Sequence, residues 1–505
     1  MLARIRSAGI HGIQARSVWV EVDVTSGLPS FSTVGLPDST VRESRDRIRA
    51  AIRNSGFDFP MERITVSLAP ADFRKEGAAF DLPMALGILA ATGLVKASLL
   101  ERCAVLGELA LDGSVRSVRG ALPVALHCRD AAVPWLLLPA GNAAEAAAVT
   151  GVDAVALTSL HEAVEYLNGE RPLLPFVREP LSIGEPTAAG ADFSEVRGQA
   201  HAKRALEIAA AGAHNVLMIG PPGAGKTMLA RRLATILPPL TLDEAIEVSA
   251  IWSVAGLLSA GQGLVTLRPF RAPHHTVSES GLIGGGSVPH PGEVSLGHLG
   301  VVFLDELPEF TRRALESLRQ PLEEGTVAVV RAAGTAVFPA RFQLVAAANP
   351  CRRACRSLER CVCTEGERRQ YIGRLSGPLL DRIDLHLELP AVGVTELTSE
   401  IFEEPSTVIR ARVVAARARQ TARFHGTNIR ANAGMPGRAT RRWCAPPPDA
   451  ARLLARAVSR LGLSARAYHR VLKVARTIAD LAGADGITVE HVSEAVQYRT
   501  LDRTE

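Results

Sequence analysis

The chain has 505 residues, of which 47% are hydrophobic and 22% are charged, and its formal net charge is +5. This composition is typical of a globular protein, and a length of about 150 residues per domain predicts roughly three domains. Its apolar runs are shorter than the roughly 18 residues of a transmembrane helix, and its first residues lack the apolar region of a secretory signal. We therefore expect a cytoplasmic protein with no membrane partner.

Residues 1–169 mix strand patterns such as SVWVEVDV with helix patterns such as STVRESRDRIRAAIRNSG, which predicts an α+β domain. Residues 170–192 are rich in proline and lack periodicity, so we interpret them as a linker. A second domain, predicted over 193–392, begins with a helix and a short apolar strand that leads into a glycine-rich loop. Helical spacing dominates the remainder, 393–505.

The glycine-rich loop has the sequence IGPPGAGKTML, residues 219–229. Its glycines free backbone N–H groups to wrap phosphate oxygens, and the following helix directs its positive end toward them. Lys226 would contact the β- and γ-phosphates of ATP, and the Thr227 hydroxyl would coordinate Mg²⁺. The predicted nucleotide-binding residues are Gly220, Pro221, Pro222, Gly223, Ala224, Gly225, Lys226, Thr227 and Asp305.

Polar residues follow two further apolar strands. VVFLDE ends in Asp305, which would hold Mg²⁺, and Glu306, which would polarise the attacking water. FQLVAAANP ends in Asn349, which is suited to orient that water. Arg382, in SGPLLDRIDLH, is either a structural ion-pair partner or an arginine finger that reaches the γ-phosphate of a neighbouring subunit. Arg466, in LSARAYHR, begins a helix that would carry a second phosphate sensor.

This set of motifs, in this order, resembles an AAA+ ATPase, specifically the magnesium-chelatase-like family called YifB or ComM. The most specific stretches are PFRAPHHTVSESGLIGGG, HPGEVSLGHLGVVFLDELPEF, RQPLEEGTV and LSGPLLDRIDLH. The resemblance covers the chain and implies an α/β fold with a central parallel sheet and a C-terminal helical lid. It implies that Asn349 is sensor 1, that Arg382 acts on a neighbouring subunit, and that Arg466 is sensor 2. Such fingers imply a homo-oligomeric ring, most often a hexamer.

Residues 65–83 and 107–125 resemble the proteolytic domain of Lon, which uses a serine nucleophile and a lysine base. The corresponding positions hold Ala79 and Leu122, and neither side chain can perform that chemistry. We therefore expect a Lon-like fold without peptidase activity.

Four cysteines lie close together in the sequence, with the spacing C-x3-C-x5-C-x-C. Four thiolates in one short loop would bind Zn²⁺ tetrahedrally. The spacing departs from the usual double C-x2-C pattern and from the NPCPCG of the resembling family, so free buried thiols are the alternative. The candidate zinc ligands are Cys351, Cys355, Cys361 and Cys363.

Two elements suggest work on DNA. Residues 267–287 resemble the helix-2 insertion of chelatases and replicative helicases, and TVAVVRAAGTAVFPARF is predicted to form a β-hairpin with Arg331 near its tip. In that group of proteins both elements point into a central pore. Residues 405–448 also contain nine arginines and no acidic residue, which indicates either nucleic-acid binding or a helix face paired with acids elsewhere.

The resemblance implies an ATP-driven ring that promotes branch migration of recombination intermediates in natural transformation. The alternative is a protein-remodelling or chelatase-type motor that acts on a partner protein. His274 and His275 are interpreted as packing or pore-loop residues rather than as metal ligands.

Overall fold

The computed structural model describes residues 1–172, 174–177, 191–331, 334–355, 361–391 and 403–499. Most of the predicted linker lies outside these ranges, and the domain boundaries stay predictions. Among the described residues, no helix combines the length and the apolar character that crossing a membrane requires.

The N-terminal elements form an α+β unit. Its strands are β1 Leu2–His11, β2 Gln14–Thr25, β3 Ser30–Val34, β4 Arg63–Ala69, β5 Cys103–Val105, β6 Glu108–Leu109, β7 Val115–Arg116, β8 Trp135–Pro139 and β9 Asp153–Leu157. Its helices are α1 Ser39–Asn54, α2 Asp81–Ala91, α3 Ala97–Leu100, α4 Ala121–Asp130, α5 Ala143–Ala146 and α6 Leu160–Asn168. The main sheet has the order β3-β4-β2-β1-β5-β8-β9 and mixes parallel with antiparallel pairs.

Strand β2 shows why this sheet forms. Val18, Val20, Val22 and Val24 occupy every second position and are all buried, so one face of the strand lies in the core. Helix α2 is buried along its whole length, which suits its almost entirely apolar sequence.

The central elements contain the glycine-rich loop. Their strands are β10 Val216–Ile219, β11 Phe270–Arg271, β12 Gly284–Gly285, β13 His290–Pro291, β14 Val301–Leu304, β15 Thr326–Arg331, β16 Gly334–Pro339, β17 Gln343–Ala348 and β18 Leu385–Glu388. Their helices are α7 Ala200–Gly212, α8 Lys226–Ile236, α9 Leu242–Ala255, α10 Glu279–Ile283, α11 Glu293–Leu296, α12 Arg312–Ser317, α13 Arg319–Glu324, α14 Glu365–Ile372 and α15 Gly377–Leu380. A parallel sheet has the order β11-β14-β17-β10-β18.

The parallel sheet is buried on both faces, as its continuous apolar strands predict. Val216 and Met218 of β10 face a core shared with the C-terminal helices. Leu217 and Ile219 face a second core that includes residues of α10, the β15–β16 hairpin and α12. The sheet therefore holds the helical region on one side and the insertion and hairpin on the other.

The C-terminal region is helical, as the sequence predicted. Its helices are α16 Ser406–Arg423, α17 Gly437–Trp443, α18 Pro448–Leu461, α19 Ala465–Leu481 and α20 Val489–Gln497. The apolar stripe of α19, with Val471, Val474 and Ile478, belongs to the core that covers β10 and β18. This architecture confirms the predicted fold class, an α/β protein with a parallel central sheet and a helical C-terminal region.

The N-terminal unit packs against the central one through α9. Leu122 and Val124 of α4 share an apolar cluster with Ala245 and Val248 of α9. On another side, Nε2 of His11 lies 3.2 Å from the carbonyl oxygen of Thr335 in β16. The N-terminal unit thus contacts the hairpin that carries Arg331.

Candidate functional site

The glycine-rich loop connects β10 to α8 at the carboxyl end of the sheet. A Cβ atom at Gly220 would lie 2.6 Å from the carbonyl oxygen of Leu389, so the chain passes too close for a side chain. Gly223 and Gly225 have φ angles of 81° and 84°, which favour glycine. Gly225 directly precedes α8, so the loop opens onto the positive end of a helix, as phosphate binding requires.

Lys226 lies at the centre of the site. Its Nζ donates to the carbonyl oxygens of Gly220 and Pro221 at 2.7 and 3.0 Å and to Oδ1 of Asn349 at 3.0 Å. Burial lowers the pKa of Lys226 from its ordinary value, while the carboxylates of Asp305 and Glu306 oppose that shift. The lysine and the predicted sensor therefore face the same point beyond the ends of β10 and β17.

The two acids after β14 lie beside α8. Oγ1 of Thr227 donates to Oδ2 of Asp305 at 2.8 Å, so the two predicted Mg²⁺ ligands are in direct contact. A carboxylate and a hydroxyl are oxygen ligands of the kind that Mg²⁺ prefers. Glu306 has a left-handed φ of 51°, and its backbone N–H donates to Oδ1 of Asp305 at 2.9 Å.

His275, interpreted from the sequence as a packing or pore-loop residue, contacts the predicted catalytic glutamate. Its Nδ1 lies 3.4 Å from Oε2 of Glu306, and its ring centroid lies 4.1 Å from that of His274. The histidine pair follows β11, which pairs with β14 through Phe270 and Val301. The pairing of these two strands brings the start of the insertion next to the predicted catalytic glutamate. The one sequence signal for this contact is that the histidine pair closely follows β11. That signal would have helped only if β11 had been predicted to pair with the strand VVFLDE.

The predicted arginine finger and the predicted second sensor do not join this group. Arg382 lies just before β18, at the end of the sheet opposite the glycine-rich loop, and its side chain is 8% exposed. Its Nη2 lies 2.5 Å from Oε1 of Glu323, and Nη2 of Arg466 lies 3.8 Å from the same oxygen. The two arginines thus lie together, away from the Lys226 of their own chain.

The four cysteines converge despite their irregular spacing. The Sγ atoms of Cys351, Cys355, Cys361 and Cys363 all lie within 4.8 Å of one another. None of these four cysteines is joined in a disulfide bond. Four convergent soft ligands fit a tetrahedral metal such as Zn²⁺.

The predicted hairpin is confirmed as β15–β16, with Arg331 opposite Gly334 at its end. Arg331 is exposed, and its Nη1 donates to the carbonyl oxygen of Val330 at 2.8 Å. The insertion lies alongside, since a Cβ at Gly285 of β12 would be 3.3 Å from Nη2 of Arg331. The two elements that the sequence suggested for DNA contact are therefore neighbours.

Part of the basic segment 405–448 is paired within the fold. Five of its arginines bond within the fold, with partners in α7, in the acidic residues before α16, in α9, at the end of α19 or just beyond it. The contacts join Arg412 to Glu207 and Glu404, Arg417 to the Ala210 carbonyl, Arg419 to Asp485, Arg423 to Asp480, and Arg430 to Glu247. Four of these five pair with acidic residues, as the alternative interpretation expected, and the five give no support to DNA binding.

The Lon-like positions lie in an apolar environment. Leu122 is fully buried in α4, and Ala79 packs against the same cluster. A cavity of about 410 Å³ borders Ala79, between the N-terminal unit and the hairpin. Neither side chain supplies a nucleophile or a base.

A parallel sheet with a phosphate loop, an acidic pair after the next-but-one strand and a polar residue on the strand between them defines a P-loop ATPase of the AAA+ type. Residues 192–397 match the profile of the magnesium chelatase subunit ChlI, and residues 20–142 match a further ChlI profile. Residues 403–499 match the profile of the ChlI C-terminal region.

Proteins from several organisms resemble the chain over almost its whole length. It is 44% identical to the protein YifB of Salmonella typhimurium, 42% to YifB of Escherichia coli and 43% to the competence protein ComM of Haemophilus influenzae. Each comparison covers 99% of this chain and 98% of the relative. The chain belongs to the YifB/ComM family of magnesium-chelatase-like AAA+ ATPases.

Proposed function

We propose that the protein is an ATP-driven ring motor that acts on DNA and promotes branch migration of recombination intermediates in natural transformation. Two hydrogen bonds at the end of one parallel sheet carry the ATPase part: Lys226 donates to Asn349, and Thr227 donates to Asp305. Lys226 would bind the phosphates, Thr227 and Asp305 would hold Mg²⁺, and Glu306 would polarise the water that Asn349 orients.

The proposed ring follows from the arginines. Arg382 and Arg466 lie at the far end of the sheet from Lys226, so they are suited to reach the nucleotide of a neighbouring subunit. A site completed by its neighbour requires a closed, repeating interface, and a hexamer is the ring size that we propose. A structural Zn²⁺ held by the four cysteines completes the proposed set of cofactors.

The DNA part is supported by the exposed Arg331 and by the insertion packed beside its hairpin. The name of one relative, competence protein ComM, links the family to DNA uptake. The alternative, a motor that remodels a partner protein, is favoured by the internal pairing of the basic C-terminal segment.

One experiment separates the two functions. The ATPase rate of the assembled protein is measured alone and with duplex, forked and four-way DNA, together with release of a labelled strand from a four-way junction. We expect branched DNA to stimulate hydrolysis and affinity to fall with salt at a log–log slope of about 0.9 per neutralised phosphate on duplex. If DNA neither binds at low salt nor alters hydrolysis, the protein-remodelling function replaces the DNA motor.

A further inference from the structure

The four-cysteine cluster has the dimensions of a tetrahedral metal site. A metal–sulfur distance of about 2.3 Å places the four sulfurs of a tetrahedron about 3.8 Å apart. The observed sulfurs, all within 4.8 Å of one another, need only a small contraction to reach that arrangement. Cys351 and Cys363 are buried, whereas Cys355 and Cys361 are half-buried, so the site is reachable from one side.

The backbone also favours bound thiolates. The N–H of Cys355 donates to Sγ of Cys351 at 3.3 Å. An N–H group aimed at a sulfur stabilises negative charge on that sulfur, which is the form that binds metal. The cluster therefore has both the ligands and part of the outer-shell hydrogen bonding of a thiolate site.

One end of this cluster is tied to the nucleotide site. Asn349 directly follows the fully buried strand β17, and Cys351 follows Asn349 by two residues. Asn349 is the residue whose Oδ1 accepts from Nζ of Lys226. A metal bound to Cys351 would therefore fix the residues that follow β17, including Asn349.

The other end is tied to the turn after Glu306. Cys363 precedes Thr364, which caps α14 in a reciprocal capping box with Glu367. Just beyond α14, Nη1 of Arg374 donates to the carbonyl oxygen of Pro308 at 3.3 Å and lies 3.4 Å from Oε2 of Glu309. The segment that leaves the cluster thus contacts the turn that follows the catalytic glutamate.

We infer that the four cysteines bind a Zn²⁺-class metal that positions Asn349 relative to Glu306. Asn349 is fixed through Cys351, and the turn after Glu306 is held through α14 and Arg374, with the metal as the common anchor. Loss of the metal should therefore affect the orientation of the attacking water more than the binding of ATP, which depends on Lys226. This role rests on the proposed ATP hydrolysis, whereas metal binding itself does not.

The test uses the full-length protein and measures three quantities: metal content per chain, affinity for a fluorescent ATP analogue, and kcat for ATP hydrolysis. Cys355→Ser and Cys361→Ser each remove one half-buried ligand, and Cys128→Ala is the matched control because that buried thiol lies in the N-terminal unit. We expect about one Zn²⁺ per chain in the wild type and the control. The two ligand variants should lose the metal, keep ATP affinity within about twofold, and lose about tenfold or more in kcat.

Two further measurements guard against misfolded variants. Wild-type protein is stripped with a chelator under reducing conditions and then supplied with Zn²⁺ or Co²⁺. We expect kcat to return with Zn²⁺, and Co²⁺ to give the sulfur-to-metal charge-transfer and visible bands of a tetrahedral thiolate site. If the wild type is purified without metal, with the four cysteines of the cluster as titratable thiols or as disulfides, the metal site is wrong. If kcat is unchanged after metal loss, the positioning role is wrong. Lys226→Ala should still bind one metal, so a failure of the ATPase proposal would leave the metal readout intact.

Discussion

Arg382 and Arg466 meet at a single carboxylate oxygen, Oε1 of Glu323, at 2.5 and 3.8 Å. One arginine precedes β18 of the central sheet, and the other is in the first turn of α19, so the sheet and the helical region each contribute one cation to this place. Lys226 lies beyond the opposite end of the sheet. Two cations held together at a distance from the phosphate loop of their own chain would act as a unit on a neighbouring one.

The first prediction concerns this pair. Arg382→Ala and Arg466→Ala should each bind ATP, and Arg382→Ala should lose about 10³-fold in kcat because a finger stabilises charge that develops in the transition state. Mixing either variant with Lys226→Ala should restore part of the activity at interfaces that pair an intact loop with intact arginines. Recovery for Arg382→Ala but not for Arg466→Ala, with mixed rings shown to form, would mean that Arg466 acts within its own subunit.

The second prediction separates Lys226 from Glu306. Lys226→Ala should abolish ATP binding, because the ammonium stabilises the phosphates in the ground state and in the transition state alike. Glu306→Gln should leave ATP affinity within about threefold and lower kcat by about 10²-fold or more, because only polarisation of the water is removed. The measurements are equilibrium binding of a fluorescent ATP analogue and steady-state hydrolysis. Normal turnover by Glu306→Gln would contradict the role given to this residue.

Much of this site was predictable from the sequence because each of its parts is local. A short apolar strand followed by a glycine-rich loop, or by Asp305 and Glu306, can be recognised from about ten residues of sequence. A parallel sheet then brings the ends of such strands together. Strand β1 was not predicted, because its sequence LARIRSAGIH interrupts the apolar alternation with glycine and arginine. It forms because β2 pairs with it over its full length.

The remaining features depend on contacts that are distant in sequence. The convergence of the four sulfurs is the exception, because these cysteines lie close together in the sequence and were predicted as candidate zinc ligands. The partners of the basic segment lie as far away as Ala210, which is 207 residues from Arg417. The contact of His275 with Glu306 likewise exists only because β11 pairs with β14.

The third prediction concerns His275. Nδ1 of His275 lies 3.4 Å from Oε2 of Glu306, so the ring occupies a carboxylate oxygen that has to accept from the attacking water. His275→Ala should therefore raise the basal kcat for ATP several-fold at an unchanged KM. His274→Ala is the control, because Nδ1 of His274 contacts Oγ1 of Thr276 rather than an acid. A lower kcat in His275→Ala would show that the ring supports Glu306 rather than restraining it.

The last prediction joins hydrolysis to DNA. Arg331 lies at the end of the β15–β16 hairpin, and β12 of the insertion lies beside it. The same insertion contacts Glu306 through His275, so one continuous segment, residues 270–292, links the hairpin to the proposed catalytic glutamate. In a ring, several copies of Arg331 would line one pore, and weak contacts from each subunit would add to a firm grip on a phosphate backbone.

Arg331→Ala should leave basal hydrolysis within about twofold, since the residue lies outside the nucleotide site. It should weaken DNA affinity and reduce the salt slope, because each lost phosphate contact removes about 0.9 from that slope on duplex. DNA stimulation of the ATPase and strand release from a four-way junction should fall with it, whereas Arg331→Lys should retain most of the effect because the charge remains. Arg45→Ala, which removes an exposed arginine of α1 whose partner is the adjacent Asp46, is the matched control. Equal losses in Arg331→Ala and Arg45→Ala would show that the hairpin has no special role in gripping DNA.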